Sequence, residues 1–179
     1  MGIFNKIFAK GRLKIPARHR TAAYMNLAFD ILPTAVDVTP NAWDTPPVDL
    51  RTLTDENYQT HFATPGVHDD ADQTYIEIDL GDIYEIYEII VQNGGAAIGY
   101  NKAIAGADVD FHLVTSISDD VTAGTVRDTQ TVPGDGANHD NTLHYVGEGI
   151  PARYVYIEFT GEVGDVTTVD LSQIEVFGC

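Results

Sequence analysis

Cysteine occurs once, at Cys179, tryptophan once, at Trp43, and the chain beyond residue 20 holds only four basic residues against 27 acidic ones. A single cysteine permits no intrachain disulfide, so burial has to hold the fold together. A free thiol and an intermolecular bridge are the uses left to it, and synthesis in a reducing compartment is expected. No apolar stretch approaches the ~18 residues of a membrane-spanning helix, so membrane insertion is not expected. The first residues lack the apolar core of about 7–15 residues that a cleaved secretory signal needs. Lys6 stands where a myristoylation site needs Ser or Thr. These absences predict a protein made in the cytoplasm without a cleaved signal.

The charge that is present is divided along the chain. Lys6, Lys10, Arg12, Lys14, Arg18 and Arg20 are six of the ten basic residues, and the first 20 positions contain no acid. The formal net charge of −17 therefore resolves into +6 on an N-terminal arm and −23 on the remainder. A body this acidic repels phosphate backbones and anionic lipid, which argues against nucleic-acid binding by the folded part. The arm also carries Phe4, Phe8, Ile3, Ile7, Leu13 and Ile15. Basic and apolar residues so mixed suit an anchor that orders on an acidic protein partner; the other reading is a disordered, solvated basic tail.

Enzyme signatures are missing as well. There is no Gly-x-Ser-x-Gly elbow, no His-Glu-x-x-His pair and no phosphate-binding glycine loop with lysine. The acidic clusters at residues 68–72 and 135–140 lack ligand spacing and read as turns. No catalysis is expected.

Several segments alternate with a period of two, as half-buried strands do. One face of each is apolar: Ile76, Ile78 and Leu80; Phe111 and Leu113; Val155, Ile157 and Phe159. The stretch 86–92 is more continuously apolar, with Ile89 and Val91 on the expected core face. Gly- and Pro-rich turns separate these runs. In residues 21–32, Ala22, Met25, Phe29 and Leu32 recur at helical spacing, which predicts a helix ended by Pro33. The expected organisation is a basic anchoring arm at 1–20, a connecting segment at 21–34 and one β-sandwich at 35–179.

Four segments go further: residues 53–62, 75–81, 152–159 and 171–179, the last two reading Ala-Arg-Tyr-Val-Tyr-Ile-Glu-Phe and Leu-Ser-Gln-Ile-Glu-Val-Phe-Gly-Cys. In order and spacing they resemble the discoidin domain, the type C domain of coagulation factors five and eight, and related galactose-binding-like carbohydrate-binding modules. The resemblance covers 35–179 and implies an all-β, antiparallel jelly-roll sandwich that binds ligands without catalysis. Secreted members often tie a cysteine placed like Cys179 to a partner near the domain start, and that partner is absent here.

The same resemblance implies a structural calcium ion. Asp55 and Thr60 match ligands in the family's Asp-Gly-x-x-x-Thr-x-Trp loop. Glu56 replaces its Gly, Phe62 its Trp, and Gln173 stands where a last-strand Glu is expected. Calcium takes hard oxygen ligands, and a Gln carbonyl still offers one. The other reading is a metal-free loop closed by hydrogen bonds. Family members recognise ligands with loops at one end of the sandwich, and Trp43, Tyr58, His61, Tyr100 and Asn101 fall in the corresponding segments. Aromatic faces beside amide and imidazole groups suit neutral sugars.

Two functions follow. The first is a non-catalytic structural subunit, anchored by its arm to protein partners in a larger assembly such as the surface of a virus or phage particle. The second is a carbohydrate-binding module that recognises neutral glycans for surface attachment. Both place the protein on a virion or other extracellular surface. Both leave homo-oligomerisation open.

Overall fold

A computed structural model describes residues 24–36, 50–57, 62–67, 74–93, 109–133, 142–161 and 166–179. The described chain forms eight strands, all antiparallel in their pairings: β1 (Met25–Asn26), β2 (Thr34–Val36), β3 (Phe62–Val67), β4 (Thr74–Asn93), β5 (Val109–Ser116), β6 (Thr125–Val132), β7 (Leu143–Gly161) and β8 (Val166–Gly178). No α-helix occurs among these residues.

The two long strands, β4 and β7, organise everything else. Their first pairing runs from Thr74↔Phe159 to Asp79↔Tyr154, and it resumes at Tyr84↔Ala152 after a register shift. The shift is a corner. Before it, β4 and β7 belong to a layer ordered β2-β4-β7-β5-β6; after it, the same strands pair in a second layer with β8, whose far edge carries β1 and β3. Gly81 turns the corner at φ +82, a conformation that side chains other than glycine's adopt only with strain. Asp79 Oδ1 accepts the Gly81 N–H at 2.8 Å and fixes the bend.

The period-two faces meet between the layers. Ile76, Ile78, Leu80, Phe111, Leu113, Val155, Ile157 and Phe159 come from the first, Ile89, Val91, Ile174 and Val176 from the second, and all are buried in one core. Phe111 and Phe159 meet edge to face at 4.9 Å. Glu77, Asp110 and Glu158 stay on the other face, so the register is that expected from the sequence.

The outer side of the first layer is less open than alternation suggests. The turn after β5 folds back over β7, and Val114, Val121, Tyr154 and Tyr156 form a second buried cluster there. Tyr75 closes edge to face on Tyr156 at 5.3 Å.

The helix expected at 21–32 does not form in the described part of that segment. Tertiary hydrogen bonds take the backbone groups a helix would have used. The Leu27 N–H donates to the Val176 carbonyl, and the Asp30 N–H to the Thr54 carbonyl. Asp30 itself sits at φ +58, which breaks helical geometry. The burial is also inverted. Leu27, Ala28 and Ile31 pack toward the core, whereas Met25, Phe29 and Leu32, the helical-period stripe, face solvent.

Candidate functional site

The first layer has two unlike ends. At one, Asp79, Tyr154, Ser116 and Thr125 lie side by side next to the β4 corner and the β5–β6 turn. Cys179 belongs near this end, exchanging two backbone hydrogen bonds with Glu85 just past the corner. At the other end, Val36 lies beside Tyr75, Thr74 beside Phe159, and Val109 between Gly161 and Val132. The segments 37–49, 68–73, 94–108, 134–141 and 162–165 begin or finish at these strand ends. Two of them carry Trp43, Tyr100 and Asn101, so the register alone brings the attachment points of the expected ligand residues to one end of the layer. Those three residues, with Tyr58, Thr60 and His61, lie outside the described residues, as do the acidic clusters at 68–72 and 135–140.

The chain enters the described region at Tyr24, next to the Met25↔Gly178 pair. The first described residue therefore lies beside the last strand. The arm residues Lys6, Lys10, Arg12, Lys14, Arg18, Arg20, Phe4 and Phe8 themselves lie outside the described residues.

The Asp55 segment follows a short 3-10 helix at Leu50–Leu53, whose Leu53 is buried in the core and which packs against β8. Asp55 Oδ1 accepts the Asn57 N–H at 2.8 Å, closing a turn of the kind Asp favours. Glu56, the residue in the glycine position of the family's loop, stands at φ +57. The left-handed backbone that glycine would adopt without strain is thus kept with a residue that pays for it. Asn26 braces the turn: its Nδ2 donates to Glu56 Oε1 at 3.1 Å, while its Oδ1 accepts from Ala28 N and Val176 N. Sequence reasoning missed this role, since a lone Asn carries no signal of two partners as distant as Glu56 and Val176.

Gln173, in β8, is fully buried, and among the described residues neither its Nε2 nor its Oε1 has a hydrogen-bond partner. Thr52 Oγ1 is likewise buried and has no partner among the described residues. A buried amide without partners costs on the order of 1–3 kcal/mol, so such a group is normally satisfied by something outside the protein's own hydrogen bonds. The donor types fit a hard cation: an Asp55 carboxylate and a Gln173 carbonyl oxygen, both oxygen ligands of the kind calcium takes.

No protein-family model matches the sequence, and no curated protein does. Solved structures do match. The module CBM32-3 from a family 31 glycoside hydrolase of Clostridium perfringens is similar over 87% of this chain and 95% of its own, with a TM-score of 0.56 and 13% identity. A fucolectin from striped bass (Morone saxatilis) serum is similar over 88% of this chain and 50% of its own, at 0.54 and 18%. The CBM32 of AlyQ, in complex with 4,5-unsaturated mannuronic acid, is similar over 86% and 98%, at 0.50 and 19%. The shared feature is the fold: this chain is an all-β sandwich of the galactose-binding-like type.

Proposed function

We propose that the chain is a non-catalytic carbohydrate-binding module acting at an extracellular surface. The observation that carries the reading is the likeness to glycan-recognising modules over nearly the whole described fold. That likeness favours glycan recognition over a structural subunit of a virus or phage particle, a role to which none of these neighbours speaks. In this reading the ligand lies at the loop-bearing end of the first layer. Trp43 and Tyr100 supply flat apolar faces, and Asn101, His61 and Tyr58 supply hydrogen bonds to hydroxyls. The acidic body favours neutral over anionic glycans.

Calcium belongs to the same proposal. Asp55, Thr60 and Gln173 would hold it, and a divalent cation bridging them would tie the Asp55 turn to the last strand.

Isothermal titration against a panel of neutral mono- and oligosaccharides tests the glycan reading, with the wild-type chain beside Trp43→Ala, Tyr100→Ala and Asn101→Ala. Saturable binding by the wild type that weakens at least about tenfold in an aromatic variant, roughly 1.4 kcal/mol, supports it. Absence of binding across the panel, or full affinity in all three variants, overturns it.

A further inference from the structure

Between Tyr24 and Leu32 the chain is apolar on both sides. Leu27, Ala28 and Ile31 hold it to the core. Tyr24, Met25, Phe29 and Leu32 point outward and are 52–57% exposed. These four make up half of the large exposed apolar residues among the described ones, gathered within nine positions. Exposed apolar side chains gathered so closely along the chain suit a contact surface.

The patch continues onto the outer face of the second layer. The Tyr24 ring stacks on Phe177 at 5.6 Å with 11° between planes, and lies 6.3 Å from Tyr87. Carboxylates rim it. Tyr24 Oη donates to Glu88 Oε2 and Tyr87 Oη to Glu85 Oε2, with Glu56 on Asn26 and Asp30 at the far side. Among the described residues the basic side chains paired to this rim are Arg51, 3.7 Å from Asp30, and His144, whose Nε2 lies 3.0 Å from Glu88 Oε1. An apolar surface with an acidic border suits an occupant that is itself apolar and basic.

The chain holds one such segment, and it leads into the patch. Residues 1–20 carry +6 and no acid, interleave Phe4, Ile7 and Phe8 with Lys6 and Lys10, and end a few positions before Tyr24. At about 3.3 Å per extended residue the segment spans far more than the patch. Tethering so short gives it an effective concentration in the ~mM range over this face, ahead of a second copy at ordinary concentrations. We propose that residues 1–20 dock on the Tyr24–Leu32 patch and the Glu85/Glu88 rim of the same chain. The arm is then a built-in cover for that face, and any outside acidic partner has to compete for it.

Zero-length carbodiimide cross-linking of the full chain tests this, with equal parts of unlabelled and 15N-labelled protein read by mass spectrometry. Lys6, Lys10 and Lys14 should join Glu85, Glu88, Glu56 or Asp30 within one isotope. Those links should fall severalfold at ~1 M salt, where screening acts over about 3 Å. A Met25→Ser, Phe29→Ser double variant that keeps the wild-type melting temperature should lose the same links. Links spread evenly to distant carboxylates such as Asp110 and Asp119 would overturn docking. Links mainly between isotopes would show that a second copy is the occupant and overturn the same-chain form.

Discussion

Arg153 grips Asp79 with two parallel hydrogen bonds, Nε to Oδ1 at 2.7 Å and Nη2 to Oδ2 at 2.6 Å. The pair sits at the corner where β4 changes layers, and the Arg153 guanidinium also lies 4.9 Å from the centre of the Tyr154 ring. Bidentate geometry makes this the best-formed ion pair among the described residues.

Asp79→Asn should therefore cost about 1 kcal/mol at neutral pH, held to that size because both side chains are 37% exposed and screened by water. The Arg153 hydrogen bonds hold the Asp79 carboxyl below its ordinary range, with help from the Gly81 N–H. A depressed folded-state value stabilises above the unfolded value near 3.8 and is lost as pH falls through the folded one. Urea unfolding should show the Asn variant trailing the wild type at pH 7 and converging with it as pH falls through the lowered folded-state value. A gap that stays constant with pH would assign the loss to packing.

Glu77 acts in the opposite sense. Burial first, then the neighbouring Asp119 carboxylate and its hydrogen bond, then Asp79, push its value up to about 7. A raised carboxyl binds its proton more tightly in the folded state than in the unfolded one, where it titrates near 4.5. Its contribution is thus fully present below about 4.5 and is lost as pH rises through about 7. The melting temperature of the wild type should rise on going from pH 8 to pH 5.5. Glu77→Gln should flatten that slope and be the more stable protein at pH 8. An unchanged slope in the variant would place its source elsewhere.

Ile157 is fully buried in the main core, opposite Ile76 on β4 and Leu113 on β5. Ile157→Ala should cost about 2–5 kcal/mol by chemical denaturation. Val146, 69% exposed on the same strand, should tolerate alanine within about 0.5 kcal/mol. Equal effects at the two sites would contradict the period-two register.

Gln173→Glu separates a cation site from a merely unsatisfied amide. A buried carboxylate with no counter-charge is strongly unfavourable, so the variant should melt lower than the wild type in chelator. Calcium should restore most of that loss and raise the wild-type melting temperature by a smaller amount. A variant that calcium does not rescue removes the metal from the Asp55 loop.

What could be read from the sequence was whatever depends on local alternation. Ile76, Ile157 and Val176 declared their inward face because a strand with one wet side must alternate. Tyr154 and Tyr156 did not declare their burial, since what covers them is a turn closing back from β5, a contact no period encodes. The stripe Met25, Phe29 and Leu32 misled for a related reason. Its spacing is helical, but Val176 and Thr54 accept the segment's N–H groups and impose another conformation. At the site, the expected glycine position was recognisable at Glu56 only through the family's pattern, and its positive φ had no signature in the side chain. The buried isolation of Gln173 depends on the surroundings assembled by folding, so a polar letter in an apolar run could announce it only in part.

The passage of β4 and β7 through both layers also bears on how the molecule fails under load. A sandwich whose sheets are separate chains of strands can peel, one sheet slipping from the other while each stays intact. Here the corner at Gly81 and Ala152 makes the two layers one continuous ribbon, so shear between them must first tear the β4–β7 ladder. Pulling on the strand ends at Val36 and Gly161 against the Cys179 end should meet a single high-force rupture and no earlier partial give.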